Sequence, residues 1–206
     1  MCLHARHFQT PKGDLQRSLD MDVVLAHFPI DPNKVKQVSG NASYEAKEIA
    51  YKWLAVFLSA GEGFSGNVAS RVRIMEASII QNPEEPDKLE SRVVCEIDVE
   101  EDMLNPLGNL HGGCSIFLID ECSTLPLSVL LHSLGRPTSG GVSQTINTTF
   151  HAPAPLGTKI RLVNTSMIIE EPMLCTRSEV WDVDNHRLIS SAVQTKMLPS
   201  QPKPKL

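Results

Sequence analysis

The stretch from Ile116 to Leu134 most narrows what this chain can fold into. Ile119, Leu125, Leu127, Val129, Leu130 and Leu131 leave it hardly any polar face. A helix apolar nearly all round belongs inside a domain, not on its surface. The helix is expected over about 111–134, ending at Gly135-Arg136-Pro137, with Pro126 bending or breaking it. Something must enclose such a helix, and the flanking sequence supplies strands. Val93, Cys95, Ile97 and Val99 alternate with Val94, Glu96 and Asp98, the pattern of a half-buried strand. Further β segments are expected over 68–80, 140–151, 158–170, 173–183 and 187–198, the last two joined by a turn at Asp184-Asn185-His186. The fold class is therefore α+β, an antiparallel sheet of five to six strands wrapped around a long central helix.

Asp120 is the anomaly in that helix, a carboxylate about two turns into a core-seeking segment. Buried carboxylates are costly unless paired or hydrogen-bonded. The plainer reading gives it to Ser123 or Thr124 within its own helix; the sharper one makes it a working acid or base. The helix start offers a second chemical feature. Its first amides lack intrahelical partners and carry the positive end of the helix dipole. Gly112 and Gly113 have no side chains to keep a carbonyl oxygen away from them, so an oxyanion site for acyl transfer fits there. Yet eight residues separate Gly112 from Asp120, roughly 12 Å along a helix. Two copies of the helix running antiparallel would bring Gly112 of one beside Asp120 of the other. An active site built from this pair lies between subunits.

The remaining composition excludes other classes. A net charge of −5 over 206 residues provides no basic stripe for nucleic acid. No uninterrupted apolar run suits a bilayer span, and no secretory leader follows Met1. Five scattered cysteines fit reduced thiols in a cytoplasmic setting, with the mitochondrial matrix an open alternative. His111-x-x-Cys114 with Cys122 lacks a second closely spaced ligand pair, so no metal is expected. Glu121, adjacent to Asp120 on a helix, should point away from it, which argues against paired-carboxylate chemistry.

Residues 1–40 read as an N-terminal extension, with 1–18 disordered and a short helix and loop within 19–40. Residues 41–65 hold a helix that packs on the domain, capped by Asn41 or Ser43 and carrying Tyr44, Ile49, Trp53, Val56 and Phe57 at helical spacing. The main domain spans 66–198, and 199–206 is a disordered tail.

The motif Asn105-x-x-Gly108-x-x-His111-Gly112-Gly113, with Asp120 eight residues after the first paired glycine, resembles the hotdog-fold acyl-CoA thioesterases. Ser123-Thr124 and the strand Val142-Ser143-Gln144-Thr145-Ile146-Asn147 match in register. The nearest branch is that of the phenylacetate-pathway thioesterases and thioesterase superfamily member 2. The resemblance covers about 66–198 and leaves the earlier segment without a counterpart. It implies a hotdog fold, a homodimer joined sheet edge to sheet edge and often doubled to a homotetramer, and hydrolysis of an acyl-CoA with no cofactor. It also implies residue roles. Asp120 is general base or nucleophile, the Gly112 amide polarises the thioester carbonyl, and Asn105 orients the carbonyl or water. Ser143 holds water near the carboxylate, and His111 supports the loop or the thioester end. Gly113 adjoins the substrate, with Leu104, Leu107, Phe117 and Leu118 as candidate acyl-tunnel residues. The long connection from Leu134 to Gly141 leaves room for Ser143 to be offset. Arg71, Arg136, Arg177 and Lys196 read as exposed cations. The alternative function is a non-catalytic module that binds acyl-CoA or scaffolds a complex. An acyl dehydratase is disfavoured because no His–acid dyad stands in register.

Overall fold

The structure, a computed structural model, describes Leu25 and residues 28–59, 64–138, 140–170 and 172–198. The expected disordered ends, 1–18 and 199–206, lie outside the described residues. Helix α1 (Pro32–Gln37) starts on Asp31, whose side chain accepts the Asn33 N–H at 2.9 Å. Helix α2 (Tyr44–Ser59) starts from Ser43, whose Oγ accepts the Ala46 N–H at 3.1 Å. Asn41, the other candidate cap, works elsewhere. Its side-chain oxygen accepts the Ile79 N–H at 2.7 Å and its amide donates to the Ile79 carbonyl at 2.9 Å.

The expected strand over 68–80 begins later. A short helical turn, α3 (Gly66–Ala69), occupies its start, and β1 runs Arg73–Gln81. Strand β2 (Leu89–Asp98) follows, then the central helix α4 (Gly112–Ser133), β3 (Val142–Phe150), β4 (Lys159–Glu170), β5 (Met173–Asp182) and β6 (Arg187–Met197). The six strands form one antiparallel sheet in the order β1-β2-β4-β5-β6-β3. Strand β2 is buried on both faces rather than one. Val94 and Glu96 are enclosed on the second face, where Arg161 holds the Glu96 carboxylate at 2.7 and 2.9 Å.

The sheet wraps α4 because its inner-face residues and the helix share one core. Val93, Cys95 and Ile97 of β2 with Ile160 and Leu162 of β4 meet Leu118, Ile119, Cys122 and Leu125. Helix α2 covers the helix from another side with Ala46, Ala50, Trp53 and Leu54, all buried. From Cys122 to Leu131 every side chain of α4 is buried. Its length and composition would suffice to cross a membrane, but its surface is mostly buried against the sheet and α2, as in a core helix. Pro126 does not break it. The helix continues to Ser133, and the Pro126 carbonyl accepts the Ser91 hydroxyl of β2, so tertiary packing holds the turn that local propensity would open.

The first half of α4 is less enclosed than all-round apolarity predicts. Gly113, Ile116, Phe117, Asp120 and Glu121, spaced along one helical stripe, stay partly open.

Candidate active site

The loop before α4 is closed on itself. Asn105 Oδ1 accepts the Leu107 and Asn109 N–H groups at 2.9 and 3.3 Å, and Gly108 sits at φ +76. This makes Asn105 a turn residue first. The Leu110 N–H then donates to Ala154 and the His111 N–H to Met103, at 2.7 and 2.8 Å, anchoring the helix entry. His111 is the N-cap of α4, with Nδ1 accepting the Gly113 N–H at 2.9 Å. That bond satisfies Gly113 and leaves the Gly112 N–H without an acceptor among the described residues. The Phe150 ring lies over Gly112: a Cβ there would stand 3.2 Å from Phe150 Cζ. The glycine gives that ring its close approach.

About two turns on, Asp120 is clamped from the sheet. Ser143 Oγ donates to its Oδ1 at 2.8 Å, Gln194 Nε2 donates to the same oxygen, and Lys196 Nζ stands 3.7 Å away. Gln194 and Lys196 also donate to Ser143 Oγ, at 2.9 and 3.2 Å, while Ser123 Oγ holds Gln194 Oε1. The long connection before β3 does not offset Ser143. A bulge between Ser143 and Thr145 sets its register against Lys196. Ser123 and Thr124 back-bond to the Asp120 main-chain carbonyl, not its carboxylate, so the plainer reading of Asp120 does not hold.

Two of these partners were missed or misread. Lys196 is not an exposed cation, for its side chain is only 6% accessible. Burial pushes its pKa down, against the pull of Asp120 and Glu121. The signal lay in β6, where alternation sends Ser190, Ala192, Gln194 and Lys196 to the inner face. Two long polar side chains on a core face require a buried acceptor. Arg71 likewise pairs with Asp102 at 2.7 Å, and Arg136 donates to the Ile169 carbonyl.

Beside this network lies a cavity of about 520 Å³ lined by Val56, Phe64, Gly113, Ile116, Phe117, Asp120 and Glu121. Phe117 lines it, edge-on to Phe64 at 5.5 Å. Leu104 does not line it; it bridges Leu110 and packs on the core. Leu107 is exposed and Leu118 buried. Glu121 does not turn fully away from Asp120 but shares this cavity. Burial first, and the Asp120 charge second, push its carboxyl up to about 7, with Lys196 opposing. Burial first, and the Asp102 charge second, push the Cys114 thiol up to about 11. A larger cleft of about 700 Å³ lies at the far end of α4, by Leu134 and Arg136, away from these groups.

The arrangement has two halves. One is an unsatisfied amide at a helix start, the other a carboxylate held by one oxygen, roughly 12 Å apart along α4. A water activated by the second could attack a carbonyl polarised by a copy of the first.

No family model matches the sequence. Acyl-coenzyme A thioesterase 13 of Homo sapiens is 34% identical over 107 residues, covering 52% of this chain and 73% of the relative. Its Mus musculus counterpart is 36% identical over 116 residues, 55% and 74% of the two chains. The crystal structure of mouse thioesterase superfamily member 2 superposes with a TM-score of 0.54 at 27% identity, covering 71% of this chain and 95% of that one. The zebrafish member 2 structure shares the fold with a TM-score of 0.57 at 24% identity, covering 73% and 98%. Both superpositions span more of this chain than residues 66–198, so the shared architecture extends beyond the segment that carried the sequence motif. The chain belongs to the acyl-CoA thioesterase 13 family of hotdog-fold thioester hydrolases.

Proposed function

We propose that the protein hydrolyses acyl-CoA thioesters in two sites, each completed by a second copy of the chain. The observation that carries this reading is a Gly112 amide without an acceptor among the described residues together with a clamped Asp120, two groups that the same helix cannot bring together. The contacts from Ser143, Gln194 and Lys196 all fall on Asp120 Oδ1, which leaves Oδ2 for a water. Asp120 takes a proton from that water as its oxygen attacks the thioester carbon. The negative oxygen that forms is met by the Gly112 N–H of the second copy, with the Asn105 amide orienting the carbonyl and His111 holding the loop. Collapse of the tetrahedral adduct breaks the C–S bond, and the departing thiolate takes up the proton from Asp120.

The sheet edges favour such a dimer. Residues 39–42 line the outer edge of β1, whereas β3 ends the sheet with Val142 and Phe150 exposed. An uncovered edge strand is a template for pairing with another chain, and a pair joined at β3 sets two α4 helices antiparallel. Dimers of this kind can double to a tetramer.

Asp120→Asn should lower thiol release from acyl-CoA by about 100-fold or more while leaving the fold intact. A thiol-reagent assay over short, medium, long and aromatic acyl-CoAs reads this out, and near-wild-type turnover by the variant would overturn the assignment.

A further inference from the structure

We propose that Glu121 selects acyl-CoAs that carry a hydroxyl close to the thioester, by taking that hydroxyl as its hydrogen-bond partner inside the cavity. The inference rests on the acyl-CoA reading above, which places the thioester carbon at Asp120. An acyl group entering the cavity from there passes Glu121 within its first carbons, since the two acids are consecutive and line the same space. Glu121 Oε2 is enclosed and has no hydrogen-bond partner among the described residues. Asp120 has three contacts on one oxygen; Glu121 Oε2 has none among the described residues.

The rest of the lining is Val56, Phe64, Ile116 and Phe117 around Gly113. A plain alkyl chain along those walls leaves the Glu121 carboxyl, whose Oε2 is already shut off from solvent, with its need unmet. A hydroxyl meets that need once the carboxyl turns that oxygen toward the cavity. Sites built to bond a hydroxyl discriminate strongly against the analogue that lacks it, because the buried polar group is then left unpaired. The acid's raised pKa, about 7, widens the match. Near neutrality the carboxylate form accepts from a hydroxyl and the protonated form also donates to one.

The test compares kcat/KM for a 3-hydroxyacyl-CoA and the unsubstituted acyl-CoA of equal length, with the 2-hydroxy isomer as a positional arm. Wild type, Glu121→Gln and Glu121→Leu are measured side by side. The same pairs, made as non-hydrolysable thioether analogues, give dissociation constants by calorimetry without turnover. Wild type should favour one of the hydroxylated chains by about tenfold or more in both readouts. Glu121→Gln should keep part of that preference and Glu121→Leu should abolish or reverse it. Equal discrimination in wild type and Glu121→Leu, or a wild-type preference for the plain chain, overturns the inference. Hydrolysis without hydroxyl preference strikes this proposal alone. Analogue preference without hydrolysis strikes the proposed reaction and leaves this one standing.

Discussion

Asp120 and Glu121 show how one helical step separates two fates for a carboxylate. Asp120 faces Ser143, Gln194 and Lys196, whereas the Glu121 Oε2 is enclosed without a partner among the described residues. Burial of Glu121 raises its folded-state pKa to about 7 from an ordinary 4.5, so the folded protein binds more protons than the unfolded chain between those values. By linkage, stability falls as pH rises across that window and is flat above it. Glu121→Gln removes the titration. The thermal midpoint of the variant should match wild type near pH 5 and exceed it by about 2–4 °C at pH 8, a gain kept small because the side chain is partly exposed and Lys196 offsets it. Thermal unfolding at the two pH values measures this, and a pH-independent difference would contradict the burial argument.

Among the elements, the two sheet edges receive opposite treatment. Along β1, Ser39 exchanges main-chain bonds with Met75 and Ala77, the Ala42 N–H reaches the Ala77 carbonyl, and Asn41 imitates a strand residue toward Ile79. Gly40 makes this approach feasible. It sits at φ +91, and a Cβ there would come within 2.3 Å of the Ala77 carbonyl oxygen. Gly40→Ala should therefore cost about 2 kcal/mol or more, from backbone strain and the clash together. Urea unfolding gives the number; a neutral substitution would mean that the segment does not depend on its seat along β1. Because α2 follows directly and covers α4 with Trp53 and Leu54, loosening this seat should also lower protection of the α2 amides in hydrogen exchange.

At the level of the whole molecule, the proposed chemistry needs two chains. That makes a subunit-mixing experiment decisive. Asp120→Asn lacks the base but keeps the amide; Gly112→Val keeps the base but blocks approach to the amide. Each alone should be nearly inactive. Mixed and allowed to exchange, mixed dimers contain one intact site, made of Asp120 from one chain and Gly112 from the other. Random exchange of equal amounts yields about one quarter of wild-type activity. No recovery after verified exchange would place both groups within one protomer and dismiss the cross-subunit site.

Alternation and apolarity made much of this legible before any coordinates. The central helix and the six antiparallel strands follow from local rules, since periodicity acts over a few residues. The sequence did not reveal that Pro126 passes through the helix unbroken, because the restraint comes from Ser91, thirty-five positions away. Nor did it reveal that Lys196 and Gln194 hold the catalytic candidate. A lysine near a chain end reads as solvated until the sheet turns its strand inward. The sequence by itself determined which groups this protein can bring to bear; tertiary packing alone decided which of them lose water and meet, because desolvation depends on neighbours that are distant along the chain.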